Sequence, residues 1–172
     1  MTSCGPYSQS YNFTHMFNMP DLRGPLPKRV ACPNTLLNII DTHPDFTKYK
    51  FMVERANMRG ILNGSQAEFT LFIPSDKSLS MNVNDNIFTN MDILTARSII
   101  KSSMLNRRIS SEVLEDSPNA YYYTMDQANR LCITNLGGET YLDGNIKVIY
   151  KDILANNGII QVIDNLVVPH II

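Results

Sequence analysis

The sequence predicts an α+β fold in which helices come first along the chain and strands follow. Apolar residues recur at helical spacing in two early stretches, residues 34–62 and 91–105. Short β-branched and aromatic runs dominate after residue 106. Hydrophobic residues make up 44% of the chain, which is enough for a packed core. Separate runs of helices and strands are typical of α+β rather than α/β proteins.

In the helical part, Asn34 is expected to cap the first helix, and His43-Pro44 ends it. Residues 69–73, Phe-Thr-Leu-Phe-Ile, predict a strand that Pro74 ends. Helix-capping residues follow and predict a short helix, and the polar stretch 82–90 predicts turns.

The later part predicts a meander of short strands, with Cys132 buried in the middle of one of them. The candidate strands are residues 121–124, 131–134, 140–142, 146–150 and 158–162. Gly137-Gly138 and Asp143-Gly144 predict turns with positive φ, and Asp-Gly is a strong hairpin signal.

Residues 1–32 are predicted to form an extended arm, and residues 33–172 the compact domain. The arm and its junction hold five of the nine prolines, which disfavour regular structure. Four aromatic residues are interleaved: Tyr7, Tyr11, Phe13 and Phe17. Two interpretations stay open: a strap packed on its own domain, or an arm whose aromatic residues anchor on a neighbouring protein.

Composition narrows the class of partner. The net charge of −1 and pI of about 6.3 show no basic excess, so nucleic acid is not expected as a partner. No run of 18 apolar residues predicts a membrane span. No signal-peptide stretch follows Met1, which favours an intracellular or virion location unless a leader was removed. The three cysteines include no close pair, which suits a reducing compartment; the alternative is a Cys4–Cys32 disulfide formed if the arm folds back.

No catalytic set is recognisable. Nothing in the sequence places any of the three histidines, His15, His43 and His170, beside a catalytic nucleophile in the fold. No Cys-x-x-Cys, His-Glu-x-x-His or phosphate-loop pattern occurs, so we expect neither an enzyme nor a metal or other cofactor.

Two segments resemble the signatures of fasciclin domains: FTLFIPSDKSL at residues 69–79 and DILANNGIIQVIDNLVVP at residues 152–169. The resemblance implies a strand-rich wedge or sandwich flanked by helices. The residues that carry it are Thr70, Pro74, Asp76, Asn157, Gly158, Asp164 and Pro169. From the residues themselves, we expect Gly158 in a left-handed conformation after Asn157, Asp164 accepting backbone N–H groups, and Pro169 preventing further pairing.

The chain also departs from the family pattern. Ser102-Ser103 stands where many members carry Tyr-His, and Gln161 where His is frequent. The Asp152-Ile153 pair resembles one linked with integrin binding in some animal members. The alternative is structural, with Ile153 packed and Asp152 capping.

The resulting functional expectation is a non-enzymatic structural or interaction protein, specifically a minor capsid or virion-associated component that binds neighbouring subunits. The 18 Asn and 18 Ile against 7 Ala suggest an AT-rich genome, and fasciclin-like proteins also occur in large DNA viruses with such genomes. The alternative is a secreted or cell-surface adhesion protein, for which the sequons at Asn12 and Asn63 would be relevant.

Overall fold

The structure, a computed structural model, describes residues 34–65, 67–117, 119–127 and 129–168. In this part of the chain the helices are α1 (Leu36–Thr42), α2 (Thr47–Arg55), α3 (Arg59–Asn63), α4 (Asp76–Asn82), α5 (Asp85–Asn90), α6 (Ile93–Ser102) and α7 (Ser111–Asp116). The strands are β1 (Phe69–Pro74), β2 (Met104–Leu105), β3 (Ala120–Tyr123), β4 (Arg130–Leu136), β5 (Glu139–Leu142), β6 (Ile146–Ala155) and β7 (Gly158–Ile163).

The strands form one seven-stranded sheet in the order β2-β1-β7-β6-β5-β4-β3. Strands β3 to β7 are an antiparallel meander, as the sequence predicts. Strand β1 pairs with β7 in parallel, with Phe69 opposite Gly158, and with β2 antiparallel. The sheet curls towards a barrel, and the α+β class is confirmed.

Side-chain caps explain where most helices begin. Thr35, rather than Asn34, caps α1 and forms a reciprocal capping box with Asn38. Ser75, Asp92 and Ser110 accept the backbone N–H three residues ahead at the starts of α4, α6 and α7. Each cap satisfies a donor that the helix itself cannot pair.

The core lies on both faces of the central strands. In β1, Leu71 and Ile73 pack in the cluster formed with the helices, whereas Phe72 packs in a second cluster with the meander. In β7, Ile160 packs in the cluster with the helices and Ile163 in the cluster with the meander. Alternate side chains point to opposite faces, so β1 and β7 are buried along their whole length.

Two short helices and the exposure of Cys132 differ from what the sequence predicts. Residues 82–90 hold α5 instead of turns alone, and α7 lies after residue 106, where the sequence predicts mainly strands. Each helix buries a single large apolar residue, Phe88 and Leu114, so neither has the repeated spacing that periodicity detects. Cys132 is half-buried, because it lies on the less covered face of β4.

The predicted hairpin turns are confirmed: Gly137 and Gly138 have φ of 58° and 83°, and Asp143 and Gly144 have 52° and 80°. The left-handed conformation expected at Gly158 is wrong. Gly158 is the first residue of β7, and a Cβ there would lie 2.3 Å from the carbonyl oxygen of Phe69. Glycine is needed for this close backbone approach.

Across the described ranges no helix is long and apolar enough to cross a membrane.

Candidate interaction site

The aromatic residues predicted to bind a partner, Tyr7, Tyr11, Phe13 and Phe17, lie outside the described residues, as does Pro169. Their roles remain predictions. The other candidate residues all lie in the described domain.

Asp152 and Ile153 are adjacent in β6, at an irregularity of its pairing with β7. Ile153 is buried in the core beside the helices. Asp152 has a φ of 61°, and its carboxylate accepts the Ser111 backbone N–H at 2.9 Å and Gln161 Nε2 at 2.8 Å. Asp152 therefore joins the start of α7 to β7. This geometry favours the structural interpretation, and integrin binding remains an untested alternative.

Gln161, which stands where the family often has His, completes this arrangement. Its side chain is fully buried, and its Oε1 accepts the Asp152 backbone N–H at 3.1 Å. Its Nε2 also donates to the Ile109 carbonyl at 3.4 Å. Gln161 therefore resembles a neutral histidine in one respect: its side chain both donates and accepts hydrogen bonds.

Two signature residues close backbone junctions. Asp76 accepts the backbone N–H groups of Thr47 at 3.0 Å and Lys48 at 2.8 Å, so it caps α2 from the first turn of α4. It also accepts the Thr47 hydroxyl. Asp164 accepts the Lys147 backbone N–H at 2.9 Å at the end of β7, as expected from the sequence. These contacts hold elements that are far apart in sequence.

Thr70 fixes the loop that follows β2. Its hydroxyl donates to the Arg107 carbonyl at 2.6 Å and accepts the Ile109 backbone N–H at 2.8 Å. The next side chain, Arg108, binds Glu68 at 2.8 Å and the Ala155 carbonyl at 2.9 Å. Thr70 therefore ties the backbone of this loop to β1, and Arg108 ties the loop to Glu68 and to the end of β6.

The two edge strands of the sheet, β2 and β3, meet at one end and separate at the other. The Met125 N–H, just after β3, donates to the Met104 carbonyl of β2 at 2.8 Å. Beyond that contact a cavity of about 250 Å³ opens between the edges, which we call the edge gap. Its lining residues are Leu105, Asn106, Arg107, Tyr121, Tyr122 and Tyr123.

Two arginine side chains pack on tyrosine rings that line the edge gap. The Arg107 guanidinium lies 5.2 Å from the centre of the Tyr122 ring, and that of Arg130 lies 4.4 Å from the Tyr121 ring. Cation–π contacts of this kind orient a guanidinium without consuming its N–H donors. Tyr121 and Tyr123 expose 57% and 71% of their surface.

Sequence reasoning identified residues 121–124 as a strand but not as a surface. The signal was present: in three consecutive strand tyrosines, the first and third share one face. What the sequence could not show is that β3 is an edge strand and that the loop held by Thr70 brings Arg107 beside it. Both depend on pairings between segments distant in sequence.

The order of helices and strands, the parallel β1–β7 pair and the near-closed sheet define a fasciclin-type domain. A sequence model of the fasciclin domain matches residues 44–169, so the chain belongs to the fasciclin domain family. Fasciclin domains are adhesion and interaction domains.

Among solved structures, the fold is similar to a FAS1 domain pair from the insect cell adhesion molecule fasciclin I. The TM-score is 0.68 with 21% sequence identity, over 80% of this chain. This chain spans 52% of that structure, about half of its length. At this identity the likeness concerns the fold. No curated protein matches the sequence at a significant level.

Proposed function

We propose that this chain is a non-enzymatic interaction protein that binds neighbouring proteins in an assembly, and that its specific role is that of a minor capsid or virion-associated component. The observation that carries the interaction role is the exposed pair Tyr121 and Tyr123 on the edge strand β3, with Arg130 of β4 over the Tyr121 ring. Tyrosine and arginine are enriched in protein interfaces and in their energetic hot spots.

The virion form of the proposal draws support from the sequence. The excess of Asn and Ile over Ala suits an AT-rich genome. The arm, residues 1–32, adds aromatic anchors that would bridge to a second subunit and increase avidity without enlarging the domain.

The start of the described domain supports an arm that is dispensable for folding. Helix α1 has its own capping box, formed by Thr35 and Asn38. The Asn34 carbonyl accepts the Asn156 N–H at 2.9 Å, so the chain is already anchored to the β6–β7 turn at this point.

Deleting residues 1–32 tests the arm. We expect the melting temperature to stay within a few degrees of the full chain and incorporation into the native particle to be lost. A full-length variant in which Tyr7, Tyr11, Phe13 and Phe17 are changed to Ser is the matched control for chain length. Co-sedimentation with the particle is the measurement. A truncated protein that is stable and still incorporates would refute the arm proposal, and a large fall in melting temperature would make the arm an internal strap.

Adhesion at a cell surface is the second candidate function, because the similar solved structure comes from a cell adhesion molecule. Asn63, in the second sequon, is exposed at the end of α3. A glycan on Asn63 of the native protein, together with cell attachment by the purified chain, would favour adhesion over the virion role.

A further inference from the structure

The backbone of β3 directs polar groups into the edge gap. Tyr121 is paired with Cys132 of β4. The Cys132 N–H and carbonyl both point the other way, towards Asp143, at 2.9 Å and 2.8 Å. In an antiparallel pair the N–H and carbonyl of one residue point to the same side. The N–H and carbonyl of Tyr121 therefore point away from β4.

The same alternation applies two residues further on. Thr124 donates its N–H to the Asn129 carbonyl, so Thr124 faces β4 and Tyr123 faces the gap. Met125 has the same outward direction, and its N–H is the one that reaches Met104 of β2. Tyr121 and Tyr123 have no backbone hydrogen-bond partner in the part of the chain that the structure describes.

We propose that the edge gap binds an extended, acidic segment of a partner protein, which pairs with β3 as an added strand. This inference rests on the proposed interaction function and specifies where and how the partner binds. An extended peptide that pairs with a sheet edge gains main-chain hydrogen bonds, and side-chain contacts give it specificity. Four residues of β3 match a segment of about 13 Å at roughly 3.3 Å per residue.

Charge identifies the chemistry of the segment. Arg107 lines the gap, and Arg130 of β4 lies over the ring of the lining residue Tyr121. Neither arginine forms an ion pair with a carboxylate among the described residues. In contrast, Arg108 is already bound to Glu68. Tyr121 and Tyr122 point to opposite faces of β3, so acidic side chains on two consecutive residues of an added strand would meet these two guanidinium groups.

The chain's own arm fits this site poorly. Residues 1–32 contain the basic Arg23, Lys28 and Arg29 against the single acidic Asp21. An arm with this charge would be repelled by Arg107 and Arg130, whereas a separate acidic segment would be attracted.

A peptide-binding experiment on the full chain tests the proposal. The probe is a fluorescein-labelled octapeptide with the repeat Glu-Glu-Val-Val, which presents carboxylates on both faces of the strand, and fluorescence anisotropy is the readout. We expect saturable binding at low salt, at least tenfold tighter than for the matched peptide with the repeat Lys-Lys-Val-Val. Methylating every second backbone nitrogen of the probe, in each of the two possible frames, should abolish binding in at least one frame, because a methyl group blocks strand pairing.

Variants of the protein test the same contact from the other side. Tyr123→Pro removes the outward N–H but no bond of the β3–β4 ladder, so the protein should fold. Its matched control, Tyr123→Ala, removes the same ring and keeps the N–H. We expect the Pro variant to bind the probe at least fivefold more weakly than the Ala variant. Arg107→Gln and Arg130→Gln should each weaken binding several-fold and reduce its salt dependence. If Tyr123→Pro does not fold, the methylated probes on the wild-type chain decide.

Several results would overturn the proposal: no binding, equal affinity for the acidic and basic probes, unchanged binding in both methylated frames, or equal affinity of the Pro and Ala variants. Binding that appears only after residues 1–32 are deleted would assign the gap to the arm. A dimer that Tyr123→Pro disrupts would assign the edge gap to a second copy of the chain.

Incorporation into the native particle separates this inference from the proposed function. If Tyr123→Pro incorporates at the wild-type level, the chain still joins the assembly but the edge gap is not its contact.

Discussion

The Asn157 side chain accepts the backbone N–H of Leu36 at 2.8 Å, although the two residues are 121 positions apart. The Nδ2 of the same side chain donates to the carbonyls of Leu62 at 2.9 Å and Gly64 at 2.8 Å. Asn157 is almost fully buried. One amide in the β6–β7 turn thus pairs backbone groups at the start of α1 and the end of α3.

Asn157→Ala should lower the free energy of unfolding by about 2–4 kcal/mol, since it removes three hydrogen bonds and leaves buried backbone groups unpaired. Urea denaturation measures the change. The neighbouring Asn156 is exposed and provides the control. Asn156→Ala should alter stability by less than about 0.5 kcal/mol. Equal effects of the two substitutions would show that the Asn157 amide does not hold the junction.

Gly158→Ala should destabilise the domain by about 2 kcal/mol or more, and Gly158→Val by at least as much. A Cβ at this position would lie 2.3 Å from the Phe69 carbonyl oxygen and 2.7 Å from Leu36 Cδ1. Gly60 is the matched control, because a Cβ there meets nothing within 4 Å. Gly60→Ala in α3 should be neutral or stabilising by up to about 1 kcal/mol. A melting temperature unchanged in Gly158→Ala would mean that β1 and β7 can move apart freely.

The features predicted correctly from sequence are those that a local pattern determines. Phe69–Pro74 reads as a strand because its residues are β-branched or aromatic and proline ends it. The Gly137-Gly138 turn follows from the positive φ that a tight hairpin requires. In both cases the residues that decide the structure are adjacent in the chain.

The features that sequence reasoning missed depend on distant pairings. Gly158 is compatible with either a left-handed turn or a close approach, and only the β1–β7 pairing decides between them. The edge gap needs β2 placed beside β1 and Arg107 held by Thr70, 37 positions away. Nothing in the local sequence around Arg107 carries this information.

Ser102→Ala should be neutral or stabilise the domain by up to about 1 kcal/mol, because the Ser102 hydroxyl is buried and has no hydrogen-bond partner among the described residues. Its neighbour Ser103 is equally buried, but its hydroxyl bonds to the Ile100 carbonyl at 3.1 Å. Ser103→Ala should therefore be the more destabilising of the two. Thermal unfolding of both variants is the measurement, and the reverse order would contradict the assignment of Ser102 as unpaired.

The stability of the domain should fall as the pH drops below the ordinary histidine pKa of 6.5. Burial lowers the pKa of His43, and nearby Asp45 and Asp76 only partly oppose it. The unfolded chain therefore binds a proton at a higher pH than the folded chain, so acidification favours unfolding. Protonation would also remove the acceptor at Nδ1, which takes the Asp45 N–H at 3.1 Å.

His43→Asn keeps a side-chain acceptor but does not titrate, so it isolates this contribution. Urea unfolding at pH 7.5 and pH 5.5 should show a smaller loss of stability in the variant than in the wild type. His15 and His170 are present in both proteins and cancel in the comparison. Identical losses in the two proteins would contradict the prediction.

Asp152→Ala should lower stability more than it lowers attachment of integrin-bearing cells. The substitution removes acceptors for the Ser111 N–H and Gln161 Nε2, and it places alanine at a φ of 61°. Loss of the charged hydrogen bonds and the left-handed strain together should cost about 2–4 kcal/mol. Asp152→Gly separates the two effects, because glycine tolerates this φ but still lacks the carboxylate. We expect Asp152→Gly to recover roughly 1 kcal/mol of the loss.

Cell attachment at a temperature where all variants are folded supplies the functional comparison. Since the Asp152 carboxylate is bound within the domain and Ile153 is buried, attachment should follow the folded fraction rather than the identity of residue 152. Ile153→Val is the companion variant, and it should cost about 1 kcal/mol through lost packing. Attachment that disappears in Asp152→Ala while its unfolding curve matches the wild type would reverse this ranking and make the pair a partner-binding site.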